Sequence, residues 1–255
     1  MRMTEIILPE TRNRGLRFMG ATAVLYLVLQ IAGLHKLITD DAEGIAALLG
    51  IIGTLYSVVY AFATYVIWGQ FAAVENEILK ESGALKDLIL FSKGLREATR
   101  EPVVRAVRAY ARAVTESEWG TLSQGNNTER SDKLFTAVIA SVTELKPESD
   151  SERSTHEQLL AIANQASAHR DERLSVSAKR IPRTLLLFVT LTACTILFLL
   201  LLFPFHNPVL GIVSIVITTM LLFFAHFVLT DLDNPFEGTW NVSSDPFANL
   251  AAKYR

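Results

Sequence analysis

Four long stretches without charge decide what this chain can fold into. Residues 18–34, 44–74, 184–204 and 207–230 contain no Asp, Glu, Lys or Arg, and they run for 17, 31, 21 and 24 residues. A helix that crosses roughly 30 Å of hydrocarbon needs about 20 predominantly apolar residues. The runs therefore predict four transmembrane helices, and no alternation of period two indicates a strand. The expected fold class is all-α, a polytopic membrane protein with a helical region between spans two and three.

The basic residues lie on alternate sides of these runs. The N-terminal flank holds four arginines, residues 75–183 hold 17 Lys and Arg, and the turn at 204–208 holds none. Because cytoplasmic flanks carry an excess of Lys and Arg, both termini and the long middle segment are expected in the cytoplasm. The predicted domains are a cytoplasmic N-terminal segment, a transmembrane hairpin, a cytoplasmic helical region, a second hairpin and a cytoplasmic tail, at residues 1–17, 18–74, 75–183, 184–230 and 231–255.

Composition excludes several classes of function. The chain has 24 Lys and Arg against 26 Asp and Glu and no basic block, which argues against nucleic acid as a partner. The lone Cys194 excludes an intramolecular disulfide, and we interpret it as a small buried apolar residue of the third run. Motifs of nucleophile elbows, phosphate loops and zinc proteases are absent from the sequence, so neither an enzyme nor a cofactor is expected. His156 and His169 are interpreted as plain surface residues.

The charged middle segment is predicted to form four helices with short breaks. One helix extends the second run over residues 75–95, the next opens at Thr99 as its N-cap, and the third ends at Pro147. After a flexible acidic loop, a capping-box pattern at Ser154 opens the fourth helix. The second of these helices carries an apolar stripe of Val103, Val107, Tyr110 and Val114.

The second run carries a stripe of small and weakly polar residues. Such a face allows membrane helices to pack closely and to form hydrogen bonds with one another. In a symmetric oligomer the same face can surround the axis and line a pore with hydroxyl groups. The pattern leaves both interpretations open. At a spacing near 3.5 residues, the pore-lining candidates are Gly50, Thr54, Ser57, Ala61, Thr64 and Trp68.

An acidic motif follows the fourth run where the chain leaves the hydrocarbon. Its Asn-Pro dipeptide ends the helix, and its three carboxylates lack the spacing of an EF-hand, so no metal site is predicted. We expect a structural role in which Asp231 and Asp233 turn toward the headgroup region or pair with Arg180 and Arg183. Asp233→Ala then lowers the oligomer yield with or without calcium. The motif comprises Asp231, Asp233, Asn234, Pro235, Phe236 and Glu237.

Four short stretches resemble a known family. They are E-S-G-A-L-K-D-L at 81–88, Tyr110 followed by Glu118 and Trp119, R-D-E-R-L at 170–174, and D-L-D-N-P-F-E-G with V-S-S-D-P-F within 231–247. Together they resemble the bestrophin-like family of bacterial membrane proteins, long catalogued as a domain of unknown function. Bestrophins proper are homopentameric ion channels with four membrane helices per chain, both ends cytoplasmic and the pore along the second helix.

The resemblance implies a multi-pass protein of the cell inner membrane that associates with copies of itself, as a pentamer by analogy. It does not carry calcium gating over, because Glu237 and Gly238 follow Phe236 where animal bestrophins have a run of acids. The aromatic triplet of the animal pore neck is also missing from the second span. The expected function is a homo-oligomeric ion channel, with the lipid bilayer, further copies of the chain and an inorganic ion as partners. The alternative is a non-conducting interaction or sensory module whose cytoplasmic helices bind a protein.

Overall fold

A computed structural model describes residues 9–33, 41–122, 124 and 128–253 of the chain. Over these residues it is helical and holds no strand, which confirms the all-α part of the predicted fold class. A 3-10 turn at Ser92–Gly94 follows α2, and a π turn at Val114–Glu118 joins α3 to α4. The helices are α1 Pro9–Ile31, α2 Ala42–Phe91, α3 Glu97–Ala113, α4 Trp119–Leu122, α5 Glu129–Thr143, α6 Asp150–Ser177, α7 Arg183–Leu202, α8 Pro208–Leu232 and α9 Asp245–Lys253.

Three of the described helices, α2, α7 and α8, are long and apolar enough to cross a membrane. They cover the second, third and fourth charge-free runs. Helix α1 forms over the first run but begins at Pro9 and includes three arginines, and it is not among these three. Three apolar helices of membrane-spanning length are thus confirmed, while the count of four spans and the orientation stay predictions.

The chain divides into two compact units. The first, here the apolar unit, comprises Met1–Trp68 and Arg180–Asp233, and the second, here the charged unit, comprises Gly69–Lys179 and Asn234–Arg255. Helix α2 begins in the apolar unit and ends in the charged unit. The C-terminal helix α9 packs against α3 within the charged unit.

Close contact between α1 and α8 organises the apolar unit. A Cβ atom at Gly211 would lie 2.0 Å from Oη of the buried Tyr26, so only glycine allows this approach. Further along the same pair of helices, the hydroxyl groups of the buried Thr22 and Thr219 lie 3.3 Å apart. Small residues and hydroxyl pairs of this kind are typical of packed membrane helices. Helix α1 is therefore an integral part of this unit.

The core of the charged unit is apolar and is built mainly from the second half of α2 together with α3, α5, α6 and α9. The stripe predicted on α3 is fully buried, since Val103, Val107, Tyr110 and Val114 are each 0% exposed. Helix α5 ends at Thr143, ahead of Pro147, as predicted. These buried faces explain why amphipathic sequences of this length fold as helices here.

Two predicted helix starts are wrong. Arg96, in extended conformation, precedes α3, and Thr99 lies in the first turn with its hydroxyl donating to the carbonyl of Arg96 at 2.9 Å. Helix α6 begins at Asp150, so Ser154 lies inside it and the predicted loop is shorter. The N-cap is Ser149, whose hydroxyl oxygen accepts the N–H of Glu152 at 3.2 Å. Ser149 and Ser154 each open an S-x-x-E pattern, which ends at Glu152 and Glu157 respectively. Contacts of the Glu152 carboxylate favour the start at Ser149.

Those contacts reach beyond the helix. The Glu152 carboxylate accepts the N–H of Glu148 at 2.9 Å and Nε of Arg96 at 2.9 Å. Hydrogen bonds to a charged acceptor are stronger than those between neutral groups. They hold the pKa of Glu152 below its usual value, and the backbone N–H of Glu148 is the largest cause of the shift.

Candidate functional site

The stripe of pore-lining candidates lies on an uncovered face of α2 within the apolar unit. On the other side of the helix, Tyr56, Ala63 and Ile67 are buried. An apolar stripe beside the candidates is uncovered as well, with Val58 63% and Phe62 60% exposed. Of the candidates only Thr64 is half-buried, and the exposed ones are Gly50, Thr54, Ser57, Ala61 and Trp68.

The three hydroxyl groups of this stripe share one geometry. Thr54 donates to the carbonyl of Gly50 at 2.8 Å, and Ser57 donates to that of Gly53 at 2.8 Å. Thr64 donates in the same way to the carbonyl four residues earlier, at 2.9 Å. Each hydroxyl hydrogen is therefore used within the helix, and each oxygen keeps lone pairs that can accept. The stripe is a weakly polar surface that presents acceptor oxygens and no charge.

The acidic exit motif is divided between the two units. In the apolar unit Oδ1 of Asp233 accepts the N–H of Ile181 at 2.6 Å, which ties the end of α8 to the segment before α7. Burial raises the pKa of Asp233, while the Ile181 N–H and the charge of Arg180 act in the opposite direction. Asp231 is half-buried at the end of α8. The effect of Asp233→Ala on oligomer yield stays a prediction.

The remainder of the motif forms a turn in the charged unit. The carbonyl of Pro235 accepts the N–H of Val242 at 2.8 Å. The buried ring of Phe236 meets Trp119 edge to face, with 5.3 Å between the ring centroids. The Asn234 side chain donates to the exposed Glu237 at 3.4 Å. Within the described residues no group of three or more His, Cys, Asp or Glu side chains could hold a metal ion.

The charged unit contains a group of buried ionisable side chains, here the arginine cluster. Nε of Arg173 donates to Oε2 of Glu81 at 2.5 Å, and its Nη2 donates to Oε1 of Glu118 at 2.6 Å. Arg173 and both glutamates are 0% exposed. The members are Glu81 on α2, Tyr110 on α3, Glu118 on the π turn, and Arg170 and Arg173 on α6.

Tyr110 connects the two halves of the cluster. Its hydroxyl donates to Oε1 of Glu81 at 2.5 Å and accepts Nη1 of Arg170 at 2.7 Å. Arg170 also donates to Asp132 at 2.5 Å, at the edge of the cluster. Aromatic rings face both guanidinium groups, with Phe135 5.1 Å from Cζ of Arg170 and Phe247 5.5 Å from Cζ of Arg173.

Electrostatics keeps these groups in defined protonation states. Burial raises the pKa of Tyr110 well above its usual value, and the charge of Glu81 adds to this effect. Burial alone lowers the pKa of Arg173, but the adjacent Glu81, Tyr110 and Glu118 raise it further than burial lowers it. Tyr110 therefore stays a donor and Arg173 stays charged, so two guanidinium groups balance two carboxylates inside the core.

In the sequence, these residues carry the family resemblance, and only Tyr110 also belongs to a predicted apolar stripe. The structure brings all four stretches together at the arginine cluster. The first contributes Glu81, the second Tyr110 and Glu118, the third Arg170 and Arg173, and the fourth Phe247. A signal was available on α6: Arg170 and Arg173 continue, at helical spacing, the buried series Leu159, Ala163 and Ala166. An arginine in register with a buried stripe indicates a buried ion pair.

Three smaller interpretations are wrong. Cys194 is exposed in the single chain, where it lines an open cleft with residues of α1 and α8. His156 and His169 are half-buried and bridge to other helices. Nε2 of His156 lies 2.9 Å from the carbonyl oxygen of Val142, and Nδ1 of His169 lies 2.9 Å from Oε2 of Glu77.

Comparison with known proteins adds a family and a fold. The family model of the bestrophin-like domain matches residues 16–247. Two crystal structures of single-substitution variants of a bacterial bestrophin homologue from Klebsiella pneumoniae are similar to this chain. One has 12% identity and a TM-score of 0.71 over 91% of this chain and 96% of that chain, and the other has 10% identity and a TM-score of 0.72 over 94% and 97%.

A third structure of that homologue, solved by Zn-SAD phasing, has 11% identity and a TM-score of 0.70 over 94% of this chain and 97% of that chain. Likeness at this level of identity shows the fold. Sequence comparison with curated proteins gives no significant match.

Proposed function

This chain belongs to the bestrophin-like family of membrane proteins, and from that premise we propose that it forms a homo-oligomeric ion channel with α2 lining the pore. The observation that carries the proposal is the uncovered face of α2. Exposed Gly50, Thr54, Ser57 and Ala61 form a charge-free surface of small side chains and hydroxyl oxygens. A single chain leaves this face uncovered, and copies arranged around an axis would enclose it.

The hydroxyl oxygens supply the chemistry of conduction in this proposal. Thr54, Ser57 and Thr64 present acceptor lone pairs, since their hydrogens are bound to the helix backbone. Such oxygens accept hydrogen bonds from the water around a passing ion or contact a cation directly. Ala61 and Trp68 would set the width at their levels. With no charged side chain on the stripe, selection by charge would have to come from another part of the protein.

The arginine cluster has a supporting role in this proposal. It joins α3, the π turn and α6 to α2 within the charged unit, downstream of the stripe along the same helix. Buried hydrogen-bonded ion pairs help to specify one packing arrangement, and in this cluster only Nη1 of Arg173 and Oε2 of Glu118 are buried without a hydrogen-bond partner among the described residues. We propose that the cluster fixes the packing around the part of α2 that belongs to the charged unit. We also propose that both termini lie in the cytoplasm and that the protein resides in the inner membrane.

The first test is the mass of the purified particle in detergent, measured by light scattering. The proposal expects a uniform oligomer, a pentamer by analogy with bestrophins. A uniform monomer would contradict it, since a pore on the α2 face needs several copies.

The second test is ion flux through proteoliposomes that contain the purified protein. Thr64→Leu replaces a hydroxyl group of the stripe by apolar bulk and should lower ion flux at least about tenfold. That factor corresponds to about 1.4 kcal/mol on the barrier to conduction. Trp68→Ala should change the ion flux, because it removes a large side chain and widens the proposed pore at that position. Leu221→Ala, an exposed residue of α8, is the matched control and should conduct like the unaltered chain. If both stripe variants conduct normally, the lining is wrong.

A further inference from the structure

A cleft in the charged unit carries more positive charge than its own carboxylates balance. It has a volume of 440 Å³ and lies among the end of α2, one face of α3 and the end of α9. We name it the α2–α3–α9 cleft. Its charged lining residues are Lys93, Arg100, Arg105, Arg108 and Lys253 against Glu97 and Glu101.

The two carboxylates are already engaged with two of these cations. Arg100 donates to Glu97 at 3.3 Å, and Nη2 of Arg105 lies 3.7 Å from Oε1 of Glu101. Within the described part of the chain, Lys93, Arg108 and Lys253 have no carboxylate within ion-pair distance. Three positive charges thus face one cleft without internal compensation.

The arginines also hold buried donors that lack an acceptor. The Nε atoms of Arg100 and Arg108 are buried and, within the described residues, form no hydrogen bond. A buried donor without an acceptor costs free energy that binding of an acceptor recovers. Both arginines line the same cleft, but an anion would reach these buried Nε atoms only if the side chains moved, so the excess of positive charge is the main support for binding.

We propose that the α2–α3–α9 cleft binds a small multivalent anion of the phosphate or polycarboxylate class. Guanidinium groups bind phosphate and carboxylate oxygens through paired hydrogen bonds, and lysines add point charges. The volume of the cleft is that of a small-molecule site rather than a docking surface for a helix. Apolar Ile89 and Val104 also line it, so an anion with a small apolar part can be accommodated. The proposal concerns the charged unit and is independent of conduction.

The test is isothermal titration calorimetry of the full chain in detergent with sodium pyrophosphate, with inorganic phosphate and citrate as comparisons. Pyrophosphate should bind more tightly than phosphate because its larger charge reaches several cations at once. Citrate binding as tightly as pyrophosphate would assign the carboxylate class. Raising the salt concentration should weaken binding, since charge screening increases. No detectable heat with any of these anions at millimolar concentration would overturn the proposal.

Variants of opposite expected sign make the test specific. Arg108→Gln and Lys93→Gln should each weaken pyrophosphate binding about tenfold, the effect of losing one charge-assisted hydrogen bond. Glu101→Gln should strengthen binding, because it removes a competing carboxylate. The controls are Arg153→Gln and Lys146→Gln, exposed basic residues elsewhere in the unit, which should bind like the unaltered chain.

Two outcomes of this series would overturn the assignment. Equal losses in the cleft variants and the controls would mean that attraction to the whole surface causes the binding. A polyglutamate peptide that binds more tightly than pyrophosphate would favour a protein partner instead. Helical content by circular dichroism establishes that each variant is folded, and the gain expected for Glu101→Gln cannot arise from unfolding.

Discussion

At the scale of single residues, Glu118 shows how this chain keeps charge inside a core. It is 0% exposed, and its Oε1 accepts Nη2 of Arg173 at 2.6 Å while its Oε2 lies 3.5 Å from Nη1 of Arg170. A buried ion pair contributes little net stability compared with apolar side chains, but removal of one partner leaves the other charge uncompensated. Loss of the Glu118 carboxylate should therefore cost more stability than the intact ion pair adds to the fold.

Glu118→Gln should lower the free energy of unfolding by about 3 kcal/mol, since it leaves part of the charge of Arg173 unbalanced in the core. The matched control is Glu116→Gln on the same π turn, where the side chain is exposed, and its effect should stay within about 0.5 kcal/mol. Thermal unfolding of the detergent-solubilised protein measures both. Equal midpoints for the two variants would mean that the pairing of Glu118 is energetically unimportant.

No local pattern could have predicted this contact. Arg173 is 92 residues from Glu81 and 55 from Glu118, and a sequence read locally places charged residues on solvated faces. The stripe on α2 is different, because its members lie within one helix and their common face follows from helical periodicity. Whether another copy of the chain or lipid covers that face depends on how the chains associate, and a single sequence does not specify this.

At the scale of elements, the helices were predictable where a long apolar pattern specifies them, and their ends were less so. Helix α3 carries the predicted buried stripe, yet it starts two residues before Thr99. Helix α6 has its N-cap at Ser149 rather than at Ser154, because Glu152 binds Arg96 from a distant part of the sequence. Capping patterns identify possible starts, and tertiary contacts choose among them.

The α1–α8 contact yields the prediction at this scale. Gly211→Ala should lower the unfolding midpoint, with a cost of about 1–3 kcal/mol, because the new Cβ collides with the buried Tyr26. This loss should exceed the gain of about 1 kcal/mol that alanine brings to a helix interior. The control is Gly20→Ala on α1, where a Cβ meets nothing within 4 Å, and it should leave the midpoint unchanged or raise it. A Gly211 variant as stable as this control would show that α1 is not packed on α8.

At the scale of the whole molecule, the distribution of charge determines the membrane arrangement more directly than any motif. The turn between α7 and α8 contains no basic residue, while Lys179 and Arg180 precede α7 and Arg183 is its first residue. Moving basic residues across a bilayer is costly, so the side with the arginines is expected to remain cytoplasmic. The family match and the three apolar helices support a membrane protein, and the orientation can be measured directly.

His206 and Ser151 are suitable positions for that measurement, because both are exposed and only α7 among the predicted spans separates them. The background is Cys194→Ala, so that the introduced cysteine is the only thiol in the chain. On intact spheroplasts, a membrane-impermeant maleimide should label His206→Cys and leave Ser151→Cys unlabelled until the membrane is opened. One crossing by α7 requires opposite sides for the two positions. Labelling of both before the membrane is opened would contradict the crossing, and labelling of Ser151→Cys alone would reverse the predicted orientation.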